Sequence, residues 1–189
     1  MANSLSSEGI IKNDEIEIVR FGLESLEGNL LGIVLTLTIG FCFNRIGDAL
    51  FLWILLFPLR KNAGGFHAST KTRCYLVSAL MLLLSFTFFT AFDCTIIVYE
   101  SSVLITGWII WMLAPMGNPS KELDEIEHII YKIRSRSILA LEGIVFLLAL
   151  CFKWSMLVRS ISMTFFLVSI SLLMGTVKLS ICNKSNGRG

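Results

Sequence analysis

Long apolar segments alternate with short polar ones along most of this chain. Residues 75–92 and 161–177 contain no charged side chain, and each is about long enough to cross a ~30 Å hydrocarbon core as a helix. Both faces of each run are apolar, which excludes the alternating pattern of an outer-membrane barrel strand. Because backbone groups inside lipid must be satisfied within their own segment, these runs are predicted to be helices.

Further apolar runs complete the pattern. Residues 95–113 and 138–152 are read as crossings, as is 160–179, which contains the uncharged run 161–177, whereas 30–43 and 49–59 are shorter. The short runs allow two topologies, either six crossings or four crossings plus a tight or re-entrant hairpin. The predicted fold class is all-α, a single polytopic transmembrane helical bundle over residues 1–189 with about six membrane segments.

The first 28 residues are polar but carry a helical pattern. Ile16, Val19, Leu23 and Leu26 recur at helical spacing, and Asn13 precedes them as a candidate N-cap. The pattern predicts an N-terminal amphipathic helix within residues 1–28, which either lies on the membrane surface or packs against the bundle. A third arrangement stays open, in which residues 23–26 extend the first apolar run.

Composition agrees with a membrane protein. Charged residues make up 16% of the chain and the mean hydropathy is +0.75, whereas soluble domains have about 25% charged residues. The acidic, polar N-terminus lacks the basic-then-apolar order of a secretory signal. Five cysteines are scattered, mostly in apolar runs, which favours reduced thiols over a disulfide framework.

The basic residues predict an orientation. If the loops 60–73 and 114–137 and both termini share one side, that side holds 13 of the 16 Lys and Arg residues, and Arg45, Lys153 and Arg159 lie on the other. Cytoplasmic segments carry the excess of Lys and Arg. Both loops are therefore predicted to face the cytoplasm.

The loop 60–73 contains a His and a Cys. His67 precedes Cys74 by seven residues. A thiolate is a nucleophile, and a neighbouring imidazole can accept the thiol proton. One continuous helix between them would separate their Cα atoms by about 10.5 Å, so contact requires a break in the helix.

The residues around this pair supply such a break. Gly64 and Gly65 predict irregular backbone before His67, and they can bring backbone N–H groups close to a developing oxyanion. Ser69 or Thr70 can cap the next helix. With Thr70 as cap, Cys74 falls in the first turn or just after it, where the helix dipole and nearby cations favour thiolate.

Other polar residues have simpler interpretations. His128 lies in a segment of helical periodicity and is read as part of an amphipathic surface helix. The other cysteines lack a nearby His and are read as packing residues: Cys42, Cys94, Cys151 and Cys182. With two His and no CxxC, HExxH or phosphate-binding loop, no metal site and no cofactor are predicted. The short basic loops predict no nucleic-acid binding and suit anionic headgroups or a charged peptide.

The segment that starts at the end of the second short apolar run resembles a known motif. Its order is Arg60, Gly64-Gly65-Phe66-His67-Ala68, Cys74 and then a long apolar run. This arrangement resembles the accessory gene regulator B (AgrB) family of membrane cysteine endopeptidases. The likeness covers nearly the whole chain and includes the polar N-terminal helix and the Ala114-Pro115 that opens the second polar loop.

The resemblance implies a function and a site. Members of this family cleave the C-terminal part of an AgrD-type precursor of a quorum-sensing peptide and promote closure of its thiolactone ring, sometimes a lactone. By motif, Cys74 would be the nucleophile and His67 the general base, with Arg60, Gly65 and Gly64 as supporting residues. One departure concerns residues 114–137, which mix acidic with basic side chains where a strongly basic run can occur in the family.

The resemblance also implies surroundings. The expected location is the bacterial cell membrane, with multiple crossings, and the expected partners are an AgrD-like precursor peptide, membrane lipid and a second copy in a homodimer. Gly28 and Gly32 form a GxxxG, which is weak local support for close helix packing.

A non-enzymatic small membrane transporter or assembly protein is the alternative. A transporter is expected to carry buried ionisable residues along several crossings. Glu100 and Glu142 are the candidates within apolar runs, and each is predicted to lie near a helix end.

Overall fold

The computed structural model describes residues 16–66, 70–91, 96–116 and 124–186, and all of its named elements are α-helices. In chain order they are α1 (Ile16–Cys42), α2 (Ile46–Ala63), α3 (Lys71–Ala91), α4 (Ile96–Leu113), α5 (Glu125–Cys151) and α6 (Ser155–Asn186). The predicted all-α helical fold is confirmed. Asn13 lies outside the described residues.

The chain divides into two compact units, residues 1–35 and 36–189. The described part of the first unit is helical throughout, and α1 continues past Gly28 without a break to Cys42. The polar N-terminal pattern and the first apolar run therefore belong to one helix, which is the third arrangement left open by the sequence. A single membrane domain over residues 1–189 stays a prediction.

In the second unit, α6 packs against α2, α3, α4 and α5. Its apolar span Ser155–Ile181 is 67% buried, whereas the spans of α3 and α4 are 22% and 17% buried. Many of its buried positions are small hydroxyl residues: Ser160, Ser162, Thr164, Ser169 and Ser171. Small residues let neighbouring helices approach closely, which explains why α6 can occupy the centre.

The hydroxyls of α6 can be buried because the helix itself satisfies most of them. Ser162 Oγ donates to Val158 O at 2.8 Å, and Thr164 Oγ1 donates to Ser160 O at 2.8 Å. Such bonds to carbonyls three or four residues back are a common way of satisfying Ser and Thr within apolar helices.

Helices α2 and α6 run parallel in a constant register. The Asp48 carboxylate near the start of α2 accepts from Arg159 Nε at 3.0 Å and Nη2 at 3.2 Å near the start of α6. Twelve residues further along each helix, Arg60 Nη1 donates to Ser171 Oγ at 2.9 Å. Twelve residues rise about 18 Å along a helix, so polar contacts hold the two helices together at two well-separated levels.

Large apolar side chains cover the outer faces of α3 and α4. Exposed examples on the two helices are Leu76, Leu80, Leu84, Leu104, Ile105, Trp108 and Met112. Monomeric soluble proteins rarely leave such extensive apolar surface uncovered. Of the described helices, α3, α4 and α6 are long and apolar enough to cross a membrane, and these faces are those expected to meet lipid.

Two helix boundaries differ from the sequence prediction. Helix α2 continues through Arg60 to Ala63, and α5 begins at Glu125, so both polar loops are shorter than predicted. Glu142 consequently lies well inside α5 and not near a helix end, which corrects the prediction. Its side chain is 3% exposed, and its Oε2 has no hydrogen-bond partner among the described residues.

Candidate active site

Cys74 lies in the first turn of α3. The helix begins at Lys71, and Thr70 immediately precedes it. Thr70 Oγ1 accepts a long hydrogen bond of 3.4 Å from Arg73 N, and Thr70 O accepts from Cys74 N at 3.1 Å. The predicted Thr70 cap is confirmed. The half-buried Cys74 therefore lies at the N-terminal end of α3, near the positive end of the helix dipole.

The glycine pair after α2 adopts backbone conformations that other residues rarely take. Gly64 has φ +74° and Gly65 has φ +136°. A Cβ on Gly64 would collide with the carbonyl oxygen of Met116, and a Cβ on Gly65 would lie 2.5 Å from Ser171 Oγ. The predicted irregular backbone is confirmed, and both positions require glycine for conformation and for space.

The segment after α4 packs directly against this glycine pair. Met116 N donates to Ala63 O at 2.9 Å, and Gly64 pairs with Met116 in an isolated parallel bridge. The Ala114-Pro115 peptide bond just before it is cis. The start of the second polar loop is thus joined to the end of α2, which connects the two loops that the sequence suggested for substrate handling.

A cluster of polar groups fixes the backbone of Phe66, the residue that follows Gly65. Phe66 N donates to Ser171 O at 3.0 Å and lies 3.2 Å from Ser171 Oγ. Arg60 Nη1 donates to the same hydroxyl at 2.9 Å, and Arg60 Nη2 donates to Phe66 O at 3.4 Å. Arg60 and Ser171 together therefore fix both the amide and the carbonyl of Phe66, the residue before His67.

These contacts limit the oxyanion role suggested for the glycine pair. Gly64 N donates to Arg60 O at 3.1 Å as the last bond of α2, and Phe66 N donates to Ser171. The amides of Gly64 and Phe66 are therefore both used within the fold. The oxyanion role of the glycine pair stays a prediction.

Arg60 interacts electrostatically with Cys74. Burial among protein atoms lowers the pKa of Arg60, and a negative charge on Cys74 opposes that shift. Because guanidinium remains charged in proteins, Arg60 contributes a fixed positive charge to this site.

His67 lies outside the described residues, so its role as general base stays a prediction. Cys94 is outside them as well. Cys42 and Cys151 are exposed free thiols at helix ends, and neither is near the Arg60 cluster in the chain. His128 is an exposed residue of α5, in agreement with its interpretation as part of an amphipathic helix.

Comparison with known proteins settles the family. The model of the accessory gene regulator B family matches residues 1–174. The chain belongs to this family. An AgrB-like protein of Clostridium perfringens (strain SM101 / Type A) is 28% identical over 130 residues, which cover 65% of this chain and 61% of the relative.

A second relative gives the same picture. The AgrB-like protein 2 of Clostridium perfringens (strain 13 / Type A) is 27% identical over 130 residues, again 65% of this chain and 61% of the relative. The AgrB-family chain thus spans about three fifths of the length of these curated relatives. No solved structure matches it.

Two residues of this AgrB-family site escaped prediction from the sequence. Ser171 is one of several Ser and Thr residues along α6, and its spacing does not distinguish it from the others. Met116 follows the Ala114-Pro115 pair that the family resemblance included, but no pattern linked it to Gly64. A Cβ at position 175 would collide with Met116 Sδ. The glycine at this position is therefore the sequence feature that reflects the packing of Met116.

Proposed function

We propose that this AgrB-family protein acts in bacterial quorum sensing as a membrane cysteine endopeptidase. Its substrate would be an AgrD-type precursor peptide, cleaved in its C-terminal part. The observation that carries the proposal is the placement of Cys74 in the first turn of α3, behind the Thr70 cap. Nucleophilic cysteines commonly occupy such a position at the N-terminus of a helix.

The proposed reaction is an acyl transfer in two steps. The Cys74 thiolate attacks the carbonyl carbon of the scissile peptide bond, and the C–N bond breaks as the leaving amine takes a proton from His67. The product is a thioester between Cys74 and the N-terminal part of the precursor. A thiol of the precursor then gives its proton to His67 and attacks that thioester, so that Cys74 leaves as a thiolate and a thiolactone ring closes.

The second step requires no external energy source because one thioester replaces another. Hydrolysis is the competing reaction, and excluding water from the acyl-enzyme suppresses it. The close packing of Gly64 against Met116, with Gly65 against Ser171, supports this part of the proposal. It leaves little space for solvent on that side of the loop.

The active-site loop is proposed to face the cytoplasm. Basic residues are concentrated at 60–73 and 114–137, and cytoplasmic segments carry such an excess. Single cysteines introduced into each loop of a chain lacking its other accessible cysteines should react with impermeant reagents from the cytoplasmic side. Labelling of the two loops from opposite sides would contradict this orientation, and a cysteine near Lys153 serves as the oppositely facing control.

A homodimer is the proposed assembly, with membrane lipid around it. Gly28 and Gly32 both lie in α1 and form a GxxxG, a spacing that allows close contact between helices. Native mass spectrometry from mild detergent should show the mass of two chains. Replacing Gly32 by leucine should shift the population toward monomer, and a wild-type protein that is wholly monomeric would refute the dimer.

A transporter is the second candidate, and Glu142 is the observation that favours it. A buried carboxyl within a membrane helix often marks an ion or proton path, and Glu142 Oε2 has no partner among the described residues. Reconstitution in vesicles with a precursor peptide of the AgrD type, read by mass spectrometry, separates the two candidates. Cleavage that depends on Cys74 supports the peptidase, whereas uncleaved peptide moving across the vesicle membrane supports transport.

A further inference from the structure

Ser171 differs from most of the hydroxyl residues of α6 in what it contacts. Ser162, Thr164 and Ser169 donate to carbonyls of their own helix, and Ser160 Oγ donates to Met156 O at 2.9 Å and to Asp48 O of α2 at 3.1 Å. Ser171 Oγ instead accepts from Arg60 Nη1 at 2.9 Å and lies 3.2 Å from Phe66 N, more than one hundred residues earlier in the chain. Its hydroxyl therefore links the central helix to the candidate active site.

The position of this hydroxyl is fixed from several directions. Ser171 is 1% exposed, so the surrounding helices enclose it. Its backbone oxygen also accepts from Phe66 N at 3.0 Å. Gly65 packs so closely that an added Cβ would lie 2.5 Å from Ser171 Oγ. The register set by Asp48 and Arg159 at the other end of the helix pair keeps Ser171 opposite Arg60.

We propose that Ser171 is a positioning residue of the AgrB-type site. Its hydroxyl fixes the orientation of the Arg60 guanidinium and anchors Phe66, so that α6 determines where the segment leading into His67 begins. Ser171 touches neither the sulfur nor the substrate, and acts through Arg60 and Phe66. The inference rests on the proposed function for its catalytic consequence, but its geometric content is independent of the precursor.

The physical reason is the geometry of the guanidinium. Arg60 uses Nη1 for Ser171 and Nη2 for Phe66 O, so the two contacts define the plane of the group. Without the Ser171 hydroxyl, the partly buried Arg60 guanidinium has one fewer hydrogen-bond acceptor, and it will turn toward other acceptors. A displacement of about 1 Å at a reacting group can reduce turnover by roughly 10²-fold.

The experiment measures alkylation of Cys74 in the folded protein without any precursor. Cys42 and Cys151 are exposed free thiols and serve as internal references, with labelling at each site read by peptide mass spectrometry. Ser171→Ala should lower the labelling of Cys74 relative to these references by roughly 10-fold or more. Ser169→Ala is the matched control, because Ser169 is also buried in α6 but donates to Phe166 O, and it should leave the ratio unchanged.

A double-mutant cycle with Arg60→Gln tests the route of the effect. If Ser171 acts through Arg60, adding Ser171→Ala to Arg60→Gln should cause little further loss of Cys74 labelling. With a precursor peptide, Ser171→Ala should reduce kcat more than it raises KM, since no substrate contact is lost. Equal labelling ratios in Ser171→Ala and wild type, or additive losses in the cycle, would overturn the proposal.

Two further measurements keep the outcome interpretable. Gly65→Ala leaves the Ser171 hydroxyl intact but pushes the chain away from it, so it should lower Cys74 labelling even if Ser171→Ala does not fold. Cleavage of the precursor by Cys74→Ala would refute the proposed function alone. A wild-type labelling ratio in both Ser171→Ala and Gly65→Ala would refute the positioning role alone.

Discussion

Cys74→Ala should abolish cleavage of an AgrD-type precursor while the protein still inserts and folds. The expected loss is complete because the proposed acyl-enzyme cannot form without the sulfur. Cys74→Ser should behave in the same way, since a hydroxyl is a far weaker nucleophile at neutral pH. Purified variants in vesicles, mixed with precursor and followed by mass spectrometry, provide the measurement.

His67→Ala should remove most turnover and leave binding of the precursor intact. A general base typically contributes about 10²-fold to 10⁴-fold to the rate. Cys74 would still be in place in the first turn of α3, so a small residual activity is expected. Comparison of kcat with KM separates this loss of chemistry from a loss of binding.

The matched controls are the other cysteines of the chain. Cys42→Ala and Cys151→Ala remove exposed thiols at helix ends and should leave cleavage unchanged. Cleavage lost in either control, or retained in Cys74→Ala, would show that the nucleophile has been assigned to the wrong residue.

A precursor without its ring-forming nucleophile gives a sharper test of the same assignment. The first step can proceed, but the second is blocked, so the peptide should accumulate on Cys74 as a thioester sensitive to hydroxylamine. An adduct mapped to another cysteine would contradict the mechanism even if Cys74→Ala is inactive.

Local features of this site were predictable because the sequence signals act over short distances. Ser69 and Thr70 are both candidate caps in the sequence, and a cap at Thr70 predicts Cys74 in the first turn or just after it, because capping depends on residues within one turn of each other. Gly64 and Gly65 predict irregular backbone for a local reason as well, since the conformational freedom of glycine belongs to the residue itself. The all-α class followed from apolar runs too long and too uniform for strands.

Contacts between distant parts of the chain were not predictable in this way. The role of Arg60 was carried over from a motif, but its partner Ser171 lies 111 residues later. Nothing in the spacing of the α6 hydroxyls indicates which of them bond to another helix, as Ser160 and Ser171 do. The predicted end of α2 and start of α5 were wrong for a different reason, because charged residues near a membrane surface are compatible with continued helix. The earlier start of α5 at Glu125 is also why Glu142 lies in the interior of that helix.

The ion pair at the other end of α2 and α6 gives the largest expected effect on stability. Arg159→Met should destabilise the protein by about 3–5 kcal/mol, because it leaves a buried carboxylate without its partner. Asp48 is 2% exposed, and Arg159 satisfies both of its oxygens, at 3.0 and 3.2 Å. The free energy of unfolding in mixed micelles with increasing denaturing detergent is the measurement.

Arg45 provides a control that shares the same carboxylate. Its Nη1 lies 4.0 Å from Asp48 Oδ2 and its side chain is 41% exposed, so Arg45→Gln should cost less than about 1 kcal/mol. Combining Arg159→Met with Asp48→Asn should recover much of the stability lost in Arg159→Met, since no uncompensated charge remains. Equal costs for Arg159→Met and Arg45→Gln would show that this pair does not hold the helices.

The same variants connect stability to the active site. Because Asp48–Arg159 and Arg60–Ser171 have the same separation along the chain, loss of the ion pair should loosen the register that presents Ser171 to Arg60. Arg159→Met should therefore also reduce labelling of Cys74, by less than Ser171→Ala does, in micelles where it remains folded. Unchanged Cys74 labelling in folded Arg159→Met would show that the two contacts hold α2 and α6 independently, and that Ser171 alone fixes Arg60.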